Sequence, residues 1–105
     1  MFCETDTEIE SGHAARQAFG GVAEIWTVFG RYIVAATVDL SLSGCFVRTR
    51  ARLPLGANVK VRITHEGRAC VVLGRVVNAI LQEGMDIAFD GPPPKYYEVF
   101  EAWLK

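Results

Sequence analysis

Few residues in this 105-residue chain are of a type that does chemistry, and their spacing favours binding over catalysis. His13 and His65 lie far apart, the first in an acidic leader and the second in a His65-Glu66-Gly67-Arg68 turn, and both are expected to face solvent. Cys3, Cys45 and Cys70 are odd in number, widely spaced and without a C-x-x-C. That pattern argues against a disulfide framework or a thiolate metal site and for reduced thiols in a cytoplasmic protein. No G-x-x-x-x-G-K-[ST] phosphate loop occurs, and no His, Cys and carboxylate cluster has metal spacing. General acid–base or nucleophilic work needs a group whose pKa is tuned by its setting, and no pairing here promises one. The expectation is a non-enzyme with no metal and no cofactor.

Three features remain. The segment Asp39-Leu40-Ser41-Leu42-Ser43-Gly44 combines an acceptor, hydroxyls and a glycine, Arg16 precedes it by 23 residues, and Arg48, Arg50 and Arg52 alternate after it. Asp and Ser side chains bond nearby backbone groups and bend the chain, so by residue type alone the segment is a turn, with Gly44 free to take a positive φ. The alternating arginines share one face of a strand, and a charged edge of that kind discourages strand-to-strand aggregation.

The elements that must position these residues are mostly strands. Val22–Phe29 is rich in β-branched and aromatic residues, Gly30-Arg31 makes a turn, and Tyr32–Leu40 completes a hairpin. Cys45–Arg50 resumes extended structure, and Leu53-Pro54-Leu55-Gly56 is a loop. Val59, Val61 and Ile63 alternate with Lys60 and Arg62, the pattern of a half-buried strand. Ala69–Leu81 is a long strand with Gly74 as a bulge or bend, and Met85–Phe89 is the last. After Asp90-Gly91-Pro92-Pro93-Pro94 a helix is expected over about 94–104, because proline suits a first helical turn. Tyr96, Val99, Phe100, Trp103 and Leu104 then form one apolar stripe, which covers either the barrel or another subunit. Six strands with regular turns and one helix make an all-β fold: a six-stranded antiparallel β-barrel with a C-terminal α-helix.

Composition bounds the partners. Half of the residues are hydrophobic and the net charge is −1, so the chain as a whole offers no general attraction for nucleic acid or an anionic membrane. Glu4, Asp6, Glu8 and Glu10 make residues 1–15 an acidic, flexible tail, while 16–105 form one mildly basic domain. No signal peptide and no apolar run of about 20 residues is visible, so neither export nor a membrane span is expected. A single-stranded nucleic-acid-binding barrel is disfavoured by the charge and by the buried-looking aromatics.

The segment Asp39-Leu40-Ser41-Leu42-Ser43-Gly44 resembles the [DN]-x-S-x-x-G motif of PilZ domains, bacterial receptors for cyclic di-GMP. The context is similar too. Cys45-Phe46-Val47 and Leu53-Pro54-Leu55-Gly56 follow the motif, and Gly84-Met85-Asp86-Ile87-Ala88-Phe89, a Pro-rich link and a helix ending in Trp103-Leu104 close the chain. The resemblance covers roughly 16–105 and implies a six-stranded antiparallel barrel. The family also carries R-x-x-x-R before the first strand. Arg16 stands where the second arginine belongs, whereas Gly12 occupies the place of the first, with His13 adjacent but out of register.

The resemblance implies cyclic di-GMP as ligand, with Arg16, Asp39, Ser41 and Gly44 as the binding residues. Arginine pairs with phosphate or the guanine O6/N7 edge and stacks on bases. Asp39 would accept from guanine N–H groups, Ser41 would donate to an oxygen, and Gly44 would admit the ligand to the backbone. Arg48 or Arg50 would supply a substitute phosphate contact for the missing arginine. The chain is then a signalling receptor working through a downstream protein, as a monomer or weak homodimer. The alternative is an adaptor that no longer binds the nucleotide and acts through protein contacts.

Overall fold

A single extra residue in a strand can reverse which face its side chains meet, and the strand pairs of this barrel carry three register irregularities. The computed structural model describes residues 16–90 and 97–104. The strands are β1 (Gln17–Thr27), β2 (Tyr32–Ser41), β3 (Gly44–Arg48), β4 (Asn58–His65), β5 (Arg68–Ile80) and β6 (Gly84–Phe89), followed by helix α1 (Tyr97–Trp103). They close into an antiparallel barrel in the order β1-β2-β3-β6-β5-β4. The β3–β4 connection alone crosses the barrel end between strands that are not neighbours, through the Leu53–Gly56 loop.

The alternation read from the sequence is the alternation of burial. Val59, Val61 and Ile63 point inward while Lys60 and Arg62 are exposed. Ile25, Leu40, Cys45, Val47, Cys70, Val72, Val76, Met85 and Ile87 join them in one core. Each large aliphatic side chain buried there contributes about 1.5–3 kcal/mol. Phe100 is fully buried against this core, and Val99, Trp103 and Leu104 pack around it, so the helical stripe covers the barrel. Phe100 meets Phe89 edge-on with centroids 5.9 Å apart, and Trp103 lies 5.3 Å from Phe19. Glu98 and Glu101 are exposed on the opposite side. The expected helix start near 94 and Tyr96 lie outside the described residues.

Several boundaries move. β1 begins at Gln17, not Val22, and Gly20-Gly21 lie inside it. The register against β2 slips between Ala18 and Gly21, while Phe19 keeps the inward parity of Ala23 and Ile25 and joins the core. A Cβ on Gly21 would meet the Phe19 ring at 2.7 Å, so the glycine makes room for that ring. Val28 and Phe29 belong to the hairpin loop and are exposed. The β4–β5 turn agrees with the sequence: His65 pairs with Arg68, and Glu66 and Gly67 both have positive φ, the type I′ geometry of a two-residue hairpin. His65 itself departs from expectation. It is only partly exposed, tilted against the Phe19 ring at 4.3 Å and edge-on to Trp103 at 5.8 Å, and its Nδ1–H donates to the Gly20 carbonyl. Gly74 is not the bulge of β5; the slip falls between Val76 and Asn78.

Gly84 sets how closely β6 approaches β3. A Cβ there would run into the Val47 carbonyl oxygen and would come within 2.8 Å of the Phe46 ring. Gly20, by contrast, has open space around it. Gly84→Ala is therefore expected to destabilise by about 1–3 kcal/mol, lowering the thermal midpoint by about 5 °C or more, while Gly20→Ala stays within about ±0.5 kcal/mol. Thermal unfolding followed by circular dichroism checks both, and equal midpoints for the two variants would refute the close-approach argument.

Candidate functional site

Asp39 reaches the outer wall because of a bulge. Thr37 pairs with Val47 and Asp39 with Phe46, so Val38 is an extra residue on β2. Thr37 points inward, and unbroken alternation through Val38 would send Asp39 inward as well; the bulge at Val38 resets the period. Thr37 pays a price at the same spot: its Oγ1 is buried and has no hydrogen-bond partner among the described residues. Asp39 now lies in a row that runs across three further strands, Asp39–Phe46–Asp86–Asn78.

Arg16, one residue before β1, closes over this row. Its Nη1 donates to Asp39 Oδ1 at 3.1 Å and to Asp86 Oδ1 at 2.7 Å. Asp39 Oδ1 also accepts from the Phe46 backbone N–H at 3.1 Å, which fixes the carboxylate against β3. Partial burial works against the Arg16 charge, but Asp86 first and Asp39 second more than offset it and hold the guanidinium pKa above its usual value. The side chains of Arg16, Asp39 and Asp86 remain 35%, 30% and 24% exposed, so solvent and salt weaken each pair, which is worth about 0.2–1 kcal/mol. One cation against two anions leaves the cluster with a net negative charge.

Gly44 makes room for this arrangement. A Cβ there would strike the Ile87 carbonyl oxygen and would sit 3.4 Å from Arg16 Nη2. Its φ is not positive, so the sequence-based reason for the glycine gives way to one of space. Ser41 is fully buried. Its Oγ accepts from the Ser43 N–H at 3.1 Å, lies 3.0 Å from Ser43 Oγ and 3.4 Å from the Gly44 carbonyl. In this conformation its hydroxyl is engaged in the Leu42-Ser43 turn and does not face solvent. Asp39, Leu40 and Ser41 belong to β2 itself, so the turn is shorter than the motif.

The arginine stripe does not form. β3 ends at Arg48, and the backbone N–H of Ala51 bonds Thr49 Oγ1 to bend the chain, so Arg50 and Arg52 lie in the following loop. Arg48 keeps the outer face of Phe46, opposite Gly84, and is exposed; Arg50 is exposed but off the sheet. The Arg52 carbonyl accepts from Arg31 Nη1 at 2.9 Å.

Two residues of the cluster were not singled out in the sequence. Asp86 stands between inward-pointing Met85 and Ile87, so its outward direction was readable, but its partner across 70 positions was not. Phe46 is half-buried, and its ring lies over Gly84 and gives the patch an aromatic surface. Cys45 lies beneath the patch, pointing inward. Burial pushes its thiol pKa up to about 12, so it stays protonated and is no nucleophile. Among the described residues no group of His, Cys, Asp and Glu is placed to hold a metal, and no helix is long and apolar enough to cross a membrane. Gly12 and His13 lie outside the described residues.

A concave feature of about 420 Å³ lies at the far end of β1, with Trp26, Val28, Val59, Lys60 and Leu73 in its wall. The Lys60 ammonium sits 5.0 Å from the Trp26 ring centroid there. Ten residues of strand separate Trp26 from Arg16, about 30 Å, so this depression is not part of the charged cluster.

Comparison with known proteins points the same way as the barrel. The chain is similar to the PilZ domain of CeSA from a cellulose-synthesizing bacterium, at 20% identity and a TM-score of 0.68, covering 87% of this chain and 96% of that one. It is also similar to the Borreliella burgdorferi PlzA protein, solved in complex with c-di-GMP, at 20% identity and a TM-score of 0.57, covering 80% of this chain but only 32% of PlzA. These likenesses establish the fold. Among curated protein sequences nothing matches. The family model for the PilZ domain matches residues 20–105, nearly the whole barrel and its helix, and the chain accordingly belongs to the PilZ domain family.

Proposed function

We propose that this chain is a receptor for cyclic di-GMP that binds on the outer face of β2, β3 and β6. The observation that carries the reading is the 3.1 Å contact between Arg16 and Asp39, two motif positions 23 residues apart in the chain. One guanidinium and one carboxylate on the same patch supply what a guanine nucleotide needs. The guanidinium takes a phosphate oxygen or the O6/N7 edge, and the carboxylate accepts from guanine N–H groups. The half-buried Phe46 ring offers a surface on which a base can stack. Arg48 lies on the same face two residues along β3 and would supply the second phosphate contact. Arg50 is the weaker candidate, since it lies beyond the strand. Gly44 acts by leaving space beside Arg16, and Ser41 by holding the turn.

The PlzA neighbour was solved with the same nucleotide, which supports the ligand class without assigning it here. The family is one of binding domains, and the protonated Cys45 beneath the patch fits a non-catalytic role. Arg16 belongs to the stretch just before β1, so moving it from the carboxylates to the ligand would reposition that stretch. Such a change is a means of signalling to a downstream protein.

A second reading has its own support. Gly12 stands where the family's first arginine is expected, and a charge-assisted hydrogen bond of that kind is worth about 1.5–3 kcal/mol. Its loss lowers affinity by roughly 10- to 100-fold, enough to leave an adaptor that acts through protein contacts alone.

Isothermal titration with cyclic di-GMP separates the two readings. The receptor reading expects measurable heat at tens of micromolar protein, with Arg16→Ala and Asp39→Ala each weakening binding by roughly 10-fold or more. Gly12→Arg is expected to tighten binding by roughly 10- to 100-fold. Silence in both the wild type and Gly12→Arg would defeat the receptor reading and leave the adaptor.

A further inference from the structure

Asp86 holds the shorter of the two contacts to Arg16, yet it belongs to no part of the motif. Both carboxylates accept from the same nitrogen, Arg16 Nη1. Their other duties differ. Asp39 also receives the Phe46 backbone N–H, whereas Asp86 has no further hydrogen-bond partner among the described residues. Asp86 is fixed in place by the sheet, because Phe46 pairs with it on one side and Asn78 on the other. Arg16 precedes the first strand and is the partner that can move.

We infer that Asp86 is an affinity-setting residue of this site, an internal competitor that occupies Arg16 until an anionic ligand displaces it. The inference rests on the receptor reading above and goes beyond it by naming what the ligand must outcompete. A phosphate cannot take the face of Nη1 that Asp86 already fills at 2.7 Å. An incoming phosphodiester also meets a cluster in which two anions outnumber one cation, so its approach is opposed until the Asp86 charge is offset. Asp39 cannot be spared, since it anchors β3 and offers the acceptor for guanine, but Asp86 contributes only its hold on Arg16. The arrangement sets a threshold: weakly charged nucleotides fail to draw Arg16 away, and a ligand with two phosphates in reach succeeds.

Asp86→Asn keeps the shape and an acceptor oxygen while removing the charge. The experiment titrates cyclic di-GMP into the wild type, Asp86→Asn, Arg16→Ala and the double variant. Asp86→Asn is expected to bind about 3- to 10-fold tighter than the wild type, with most of that gain lost in the Arg16→Ala background. An unchanged or weaker affinity, or the same gain with Arg16 removed, overturns the inference. A second measurement needs no ligand: exchange of the Arg16 Nη1 protons with water, followed by nitrogen-15 NMR. Release from Asp86 is expected to speed this exchange several-fold in Asp86→Asn, with the thermal midpoint confirming a folded variant. If no variant takes up the nucleotide, the receptor reading falls while the exchange rate still decides the role of Asp86, and an unchanged rate overturns it.

Discussion

The period of two in a β-strand governs this molecule, and the places where the period slips decide what the outer wall carries. Because Val38 is bulged rather than paired in regular alternation, an acid that the strand period would have buried becomes part of the surface. The slip between β1 and β2 sets Ala18, two residues after Arg16, opposite Asp39. The slip in β5 brings Asn78 beside Asp86. All three irregularities border the same row of residues. Each interrupts a ladder and costs some pairing, and Thr37, at the edge of the β2 bulge, has a buried hydroxyl with no partner among the described residues.

Much of the fold was legible because burial here follows residue type closely. β4 alternates without exception from Val59 to Ile63, and the stripe Val99, Phe100, Trp103, Leu104 packs against the barrel core. The Glu66-Gly67 turn was legible because two positive φ angles in a row admit few residue pairs. The misreadings have local causes. Gly20-Gly21 looks like a break, yet glycine also marks a bulge where another side chain must pass close by. Arg48, Arg50 and Arg52 alternate as a strand would, but the Thr49 hydroxyl captures a backbone N–H and ends the extension.

The candidate site was half legible. Arg16, Asp39 and Gly44 converge as the motif resemblance implies, because all three concern one hairpin and the stretch leading into it. Asp86 was hidden, since nothing in the spacing of β6 says which strand lies next to it. Only closure of the barrel, with β6 inserted between β3 and β5, puts its carboxylate beside that of Asp39. Ser41 shows the limit of residue type. A hydroxyl flanked by a turn is as ready to bond its own backbone as a ligand, and the structure finds it fully engaged at home.

The side-chain amide of Gln17 donates to the carbonyl of Leu104 at 2.6 Å, so the residue after Arg16 is tied to the end of α1. The two extremities of the folded domain thus share a knot on one flank of the barrel. Tension applied at the entrance of β1 has a direct route to the lid over the core, through one amide and the ring contact between Phe19 and Trp103. One hydrogen bond and one ring pair thus bring the residues just after Arg16 and the C-terminal helix into direct contact.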